Sequence, residues 1–198
     1  APPKFWSDLD LHAFEFGHSY MTAIFNAPDD PLSQAYFASL AAKVGEDRAK
    51  EILGVNRHNT IIYPSCSPHT SFQQWRVIRP LSVDRTLVEI FTFRLDGAPE
   101  ELLQRTFTYS NVVNSPSSIV MTDDVHVYAE CQKGLATQGG DWVSQHRNAG
   151  QDLPFSGADG GEIGVGTSEL PIRNQFRAWR EYMTGDATQT ISLQSSDP

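Results

Sequence analysis

Two stretches of strict alternation joined by four turn-forming residues constrain this chain most. From Phe72 to Leu81, Phe72, Gln74, Arg76 and Ile78 alternate with Gln73, Trp75, Val77 and Arg79. From Thr86 to Leu95, Leu87, Glu89, Phe91 and Phe93 alternate with Val88, Ile90 and Thr92. A period of two gives a strand with two distinct faces, and Ser82-Val83-Asp84-Arg85 between the stretches reads as a hairpin turn. Thr60 to Pro64 adds a third β-rich segment, so an antiparallel sheet is predicted. Helical patterns follow it. Pro99 to Val113 runs Leu103, Phe107, Ser110 and Asn114 down one face. Thr122 is then an N-cap for a helix through Leu135, with Asp123 and Asp124 in its first turn. Strands in succession followed by long helices predict an α+β fold rather than alternating βαβ units. Helices over such a sheet leave room for a cavity between the layers.

The flanks agree with that class. Leu9, Leu11, Ala13, Phe14 and Phe16 suit a strand, with a bulge or bend at Gly17 before Ser19 to Phe25. Asn26-Ala27-Pro28-Asp29-Asp30 reads as a turn, and Pro31 as the first turn of a helix from Leu32 to Val44. Tyr36, Phe37, Leu40 and Val44 share one side of it. Gly45 separates this helix from a short one, Glu46 to Leu53, closed by Gly54. Gln138 to Gly166, rich in Gly, Asp, Asn and Ser, reads as a long irregular loop. A last helix begins near Ser168, takes Pro171 into its first turn and ends at Gly185. A polar tail follows.

Size and charge narrow the function classes. The 198 residues and 22.0 kDa suit one domain or part of a larger one. Fifteen Lys plus Arg against 24 Asp plus Glu give a net charge of -9, which argues against a nonspecific grip on nucleic acid or on an anionic membrane. No apolar run approaches the roughly 18 residues of a membrane span. Two cysteines, Cys66 and Cys131, cannot build a disulfide framework, and a reducing, cytoplasmic compartment is expected. The chain opens Ala1-Pro2-Pro3 without Met or a signal-like segment, so further sequence is expected upstream.

Histidine and carboxylate spacings offer few metal sites. His12 and His18 sit roughly 20 Å apart on a strand, or about 240° apart around a helix, so neither geometry converges on one ion; only a sharp bend at Gly17 would bring them together, and two strand histidines are expected. His126 with Glu130, and Asp123 with His126, have helix-face spacings that usually make solvated contacts. Cys66-Ser67-Pro68-His69 spells CxxH without a second pair. His58 and His146 fall in expected turns or loops. No GxSxG elbow occurs, and both cysteines read as buried thiols. The glycines from Gly157 to Gly161 do not fit a phosphate loop. Asp123-Asp124 is a helix-start acid pair, ordinarily a complement to the helix dipole. Adjacent residues there point about 100° apart, so one can face water while the other points inward and needs a partner. A metal is one such partner, and spacing alone leaves this open.

Several segments together resemble one family. They are Phe14-Glu15-Phe16-Gly17-His18, Asn56 to Pro64, and Arg76-Val77-Ile78-Arg79-Pro80-Leu81-Ser82-Val83-Asp84-Arg85-Thr86. Thr122-Asp123-Asp124 with Glu130-Cys131-Gln132-Lys133-Gly134-Leu135, and Arg173-Asn174-Gln175-Phe176-Arg177-Ala178-Trp179, complete the set. In that order they resemble the large (α) subunit of Rieske-type aromatic-ring-hydroxylating dioxygenases, closest to the benzoate and salicylate branch. The R-P-L-x-V-D-x-T block and the acid pair ahead of C-Q-x-G are the specific parts.

The resemblance implies a mononuclear non-haem iron(II) held by two histidines and one aspartate, the facial triad that leaves positions open for dioxygen. Asp124 matches its carboxylate ligand. The family's ligand histidines lie in a DxxHxxxxH segment that does not occur in this chain, and the Rieske [2Fe–2S] ligands are absent too. Residues 1–184 are therefore expected to be the C-terminal part of the catalytic domain, with 185–198 a polar tail and the Rieske domain missing. The implied fold is an incomplete helix-grip (START-like) fold. Alone, the chain is expected to be inactive. In a full-length subunit, electrons from NAD(P)H would pass through a separate reductase or ferredoxin and the Rieske cluster to the iron. O2 would then hydroxylate an aromatic acid or hydrocarbon. Phe107, Asn111, Asn114, Val120 and Met121 are the implied pocket wall, where apolar side chains and two amides suit a flat ring with a polar group. An α-subunit trimer, with or without a small β subunit, is the implied assembly. Two other classes fit the same pattern: a non-catalytic helix-grip carrier of apolar or aromatic ligands, indifferent to Asp124, and a scaffold for subunit assembly.

Overall fold

The computed structural model describes residues 6–22, 30–55, 57–69, 72–140, 142–156 and 160–185. Its first strand, β1 (Asp10–Ala13), turns back through a 3-10 turn at Glu15–Gly17 into β2 (Ser19–Thr22), pairing Ala13 with Ser19 and His12 with Tyr20. Gly17 has φ +83°, and a Cβ there would lie 2.9 Å from the Tyr63 ring and 3.0 Å from the Ala178 Cβ. Only glycine suits both the backbone and that gap. His18 closes the turn rather than standing in a strand, and its Nδ1 accepts the Tyr63 N–H at 3.1 Å. The expected strand beyond Thr22 falls partly outside the described residues.

α1 (Pro31–Val44) begins as expected. Asp30 is its N-cap, accepting from the N–H groups of Leu32 (3.0 Å) and Ser33 (3.1 Å), with Pro31 in the first turn. These contacts satisfy donors that a helix start otherwise leaves open. The Ser33 hydroxyl, then Arg105, hold the Asp30 carboxyl down to about 2. Of the expected stripe only Tyr36 is buried, and Val44 is exposed. α2 (Glu46–Leu53) follows Gly45. Tyr36 packs with Ala98 and Leu102, flanked by Leu32, Leu53 and Leu95, and this cluster fastens α1 to the start of α3 (Glu100–Asn114).

The antiparallel expectation holds, but the strands form two sheets. β3 (His58–Ile61) pairs with β2 through a bulge, β8 (Glu162–Val165) lies on the far side of β1, and β7 (Leu153–Pro154) lies beyond β8. The second sheet is β4 (Cys66–His69), β5 (Gln74–Ser82) and β6 (Arg85–Thr92) in order. An Ile62–Cys66 bridge links the two, closed by backbone hydrogen bonds of 2.8 and 3.0 Å across a turn containing the cis Tyr63–Pro64 bond. Three expectations are corrected here. The strand placed at Thr60 to Pro64 begins at His58 and ends at Ile61. His58, expected in a turn or loop, is the first residue of that strand. The loop from Gln138 to Gly166 supplies β7 and β8.

α4 (Ile119–Leu135) starts three residues before the expected cap. Ser118 accepts from the Val120 N–H at 3.0 Å and the Met121 N–H at 3.4 Å, while Thr122 lies inside the helix and donates to the Pro116 carbonyl at 3.1 Å. Asp123 and Asp124 therefore stand in the second turn, beyond the reach of capping. α4 buries no residue. Cys131 on it is exposed, not the buried thiol expected. α5 (Leu170–Thr184) buries Leu170, Asn174 and Ala178, one per turn, and packs on β1, whose Leu11 and Ala13 are buried. No helix among the described residues is long and apolar enough to cross a membrane.

Candidate functional site

Asp124 is half-buried on α4 and its neighbours Asp123 and His126 are exposed. Among the described residues no three His, Cys, Asp or Glu side chains gather as a metal site. A facial-triad iron therefore does not fit these residues by themselves: one carboxylate is present and two imidazoles are lacking. His12 and His18 face different neighbours. His12 stacks on Tyr20 at 4.6 Å and meets Phe155 edge-on at 4.9 Å. Burial lowers its pKa, against the pull of Asp10.

The pocket-wall residues are split. Phe107, Asn111 and Val120 are exposed, and Asn114 and Met121 half-buried. The inward stripe of α3 differs from the expected Leu103–Phe107–Ser110–Asn114 line. Leu102 and Thr106 are its buried residues, and Tyr109 stacks on Phe72 at 3.9 Å with rings 4° from parallel. The helix is turned by about one residue, 100°, because Thr106 is satisfied internally. Its hydroxyl donates to the Leu102 carbonyl at 3.0 Å and bonds the Gln73 side chain.

That turn brings α3 over a group that composition gives no reason to bury. Across the β4–β5 ladder His69 pairs with Gln74 and Ser67 with Arg76, so these four side chains share one face. Gln74 is 0% exposed and His69 4%. The His69 ring meets the His58 ring edge-on at 4.2 Å and stacks on Phe72 at 4.5 Å. Both amide atoms of Gln74, Nδ1 of His69, Nε of Arg76 and Oδ1 of Asn114 are buried without a hydrogen-bond partner among the described residues. Arg76 makes no ion pair among those residues either, although its charge reaches His58, His69 and Tyr109. Burial first, then the positive charges of His58 and Arg76, push His69 down to about 3. Burial and Arg76 lower His58 as well. Both rings are neutral at pH 7. Each keeps one N–H donor and one acceptor nitrogen.

Sequence reasoning missed this cluster. Its signal was the polar face of the Phe72 to Leu81 alternation, where Gln74 and Arg76 precede Ile78. Cys66-Ser67-Pro68-His69 holds a proline and no clear apolar alternation, so the strand that completes the face gave no signal of its own.

A second polar node is structural. Arg173 on α5 donates to Asp152 at 2.6 Å, Ser168 at 3.1 Å, and the carbonyls of Gln145 (3.2 Å) and Arg147 (2.9 Å). It ties the 142–156 segment to the helix.

Known proteins share both the sequence and the fold. No family model matches the chain. It is 32% identical over 152 residues to the toluate 1,2-dioxygenase α subunit of Pseudomonas putida, covering 75% of this chain and 32% of that protein. It is 31% identical over 149 residues to the 2-halobenzoate 1,2-dioxygenase large subunit of Burkholderia cepacia, covering 73% and 32%. The chain thus spans about a third of the length of these relatives. Phenanthrene-bound naphthalene 1,2-dioxygenase superposes with a TM-score of 0.70 at 17% identity, over 92% of this chain and 43% of the other. The indole-bound enzyme from Rhodococcus sp. superposes at 0.69 and 15% identity, over 94% and 48%. The α+β arrangement of antiparallel strands and long helices is therefore that of part of a ring-dioxygenase catalytic domain. Joined to the sequence identity across three quarters of the chain, this places the protein in the α-subunit family of aromatic-ring-hydroxylating dioxygenases.

Proposed function

We propose that this chain is the C-terminal part of the catalytic domain, residues 1–184, of an enzyme that hydroxylates an aromatic carboxylic acid with O2. The observation that carries the reading is the identity to the toluate and 2-halobenzoate enzymes across 75% and 73% of the chain, since both of those names specify ring acids. Electrons would come from NAD(P)H through a reductase or ferredoxin and a Rieske [2Fe–2S] cluster carried outside this chain. A mononuclear iron(II) supplies the oxygen chemistry in such enzymes. This chain's share of its ligands is Asp124, and these residues alone do not hold the metal. Their own contribution is to carry that carboxylate on α4 and to shape the ring-binding wall with Phe107, Asn111, Asn114, Val120 and Met121. The assembly that follows is an α-subunit trimer, with or without a small β subunit, in the cytoplasm, where free Cys66 and Cys131 suit a reducing medium.

The test is a chimera in which this chain replaces the matching third of the toluate 1,2-dioxygenase α subunit. It is expected to retain iron and to consume O2 with benzoate when supplied with reductase. Asp124→Ala is expected to abolish both, and Asp123→Ala neither. Turnover that survives Asp124→Ala would remove Asp124 as the ligand.

A further inference from the structure

We propose that the face formed by His69, Gln74 and Arg76 is a carboxylate-binding site that holds the acid group of an aromatic ligand. The inference rests on the aromatic-acid reading above and assigns the residues that recognise the acid. Three observations carry it. Among the described residues, fully buried Gln74 has neither its Nε2 donor nor its Oε1 acceptor bonded, and the His69 Nδ1 beside it across the ladder is likewise unbonded. A buried amide or imidazole left this way costs stability unless something satisfies it. Arg76, next along the same face, carries a guanidinium with no carboxylate partner among the described residues, and its buried Nε has no acceptor. Finally, Phe72 and Tyr109 form a stacked aromatic wall against His69, so the polar group sits beside a surface suited to a ring.

The donor set selects the ligand class. A planar guanidinium offers parallel N–H groups that match the two oxygens of a carboxylate. The Gln74 amide and a neutral His69 N–H add uncharged donors, whereas a cation would meet Arg76 as a like charge. A phosphate-sized dianion would ask for more cationic charge than one arginine supplies, since both imidazoles are neutral. A neutral hydrocarbon would leave every one of these atoms unsatisfied. A monocarboxylate on an aromatic ring meets both the polar and the apolar parts.

The 198-residue chain itself serves for the test, titrated calorimetrically with benzoate and with methyl benzoate, the uncharged ester of similar shape. Benzoate is expected to bind about tenfold or more tightly than the ester, as befits charge-assisted hydrogen bonds. Arg76→Gln should erase that preference by weakening benzoate and sparing the ester. Arg76→Lys, which keeps the charge and loses the fork, should fall between. Gln74→Leu separates a binding role from a merely buried one: it should weaken benzoate while leaving the unfolding temperature of the free chain equal or higher. Equal binding of acid and ester, no binding of benzoate, or an unchanged benzoate affinity in Arg76→Gln would each overturn the assignment. The chimera keeps the two readings distinct. Arg76-dependent benzoate binding without O2-dependent product would sink the oxygenase reading alone. Turnover with an unchanged KM for benzoate in Arg76→Gln would sink the carboxylate site alone.

Discussion

Asn174, on the buried face of α5, donates its Nδ2 to the Phe14 carbonyl at 2.8 Å and at the same time to the His18 carbonyl at 3.1 Å. One amide thus clamps both ends of the turn between β1 and β2, and the Phe14 N–H donates to the His18 carbonyl at 2.9 Å within the same grip. The final helix and the first hairpin, more than 150 residues apart in sequence, are held together by a polar contact inside an apolar seam of Leu170 and Ala178.

Asn174→Ala should therefore cost about 2 kcal/mol, because the half-buried Phe14 carbonyl loses its Asn174 donor and the His18 carbonyl keeps only the Phe14 N–H. Asn174→Asp should cost more, since its second oxygen would face those carbonyls. Urea midpoints with unchanged slopes would measure both. An Asn174→Ala midpoint equal to that of the parent would show that the amide is not clamping the turn.

Gly17→Ala tests the same junction from below. The residue would have to adopt φ +83° with a methyl 2.9 Å from the Tyr63 ring, and a loss of about 1–3 kcal/mol is expected from backbone strain and overpacking together. Gly150, also at positive φ but with nothing within 4 Å, is the control: Ala there should cost about 1 kcal/mol, from the backbone alone. Thermal unfolding of the two variants side by side separates steric from conformational cost.

Ser118→Ala should lower stability by about 1 kcal/mol through loss of the α4 cap, with a drop in helical circular dichroism. Thr122→Ala should cost less than half of that, its hydroxyl bonding a single exposed carbonyl. A reversal of the two would return the helix start to Thr122 and the acid pair to the first turn.

What the sequence disclosed and what it hid follow from physical causes. The 72–95 hairpin was legible because its alternation persists over both strands, and α1 because Asp30-Pro31 is a local signal that needs no tertiary partner. β8 was not. Its Gly164 has space for no side chain, as a Cβ would lie 2.6 Å from Asp152 and 3.3 Å from Leu170, so a packed strand presents the composition of a loop. The partner that makes it a strand is β1, about 150 residues earlier. α3 was placed correctly in sequence but rotated, because Thr106 reads as polar until its hydroxyl is seen bonded to Leu102. Asp124 was named by resemblance and not by spacing, and the face of His69, Gln74 and Arg76 went unread because polar strand residues ordinarily signal the solvent side.

The buried histidines make the fold acid-sensitive in a defined window. His69 keeps its neutral form until pH falls to about 3, whereas the same imidazole in an unfolded chain takes up a proton near 6.5. Between those values the unfolded state binds the extra proton, so stability is full above about 6.5 and declines as pH falls toward 3. At about 1.4 kcal/mol per unit, His69 removes about 2 kcal/mol between pH 6.5 and pH 5. His58 and His12, lowered by burial in the same direction, steepen the decline. Asp30 is lowered as well, but from 3.8 to about 2, so its loss falls below this range and does not contaminate it. Urea midpoints at pH 7.5 and pH 5.0 should thus differ, and His69→Leu should narrow the difference by replacing the titrating ring with an apolar group. A midpoint indifferent to pH across this interval would mean that the His69 ring is accessible to protons in the folded chain, and the burial that defines the polar face would be wrong.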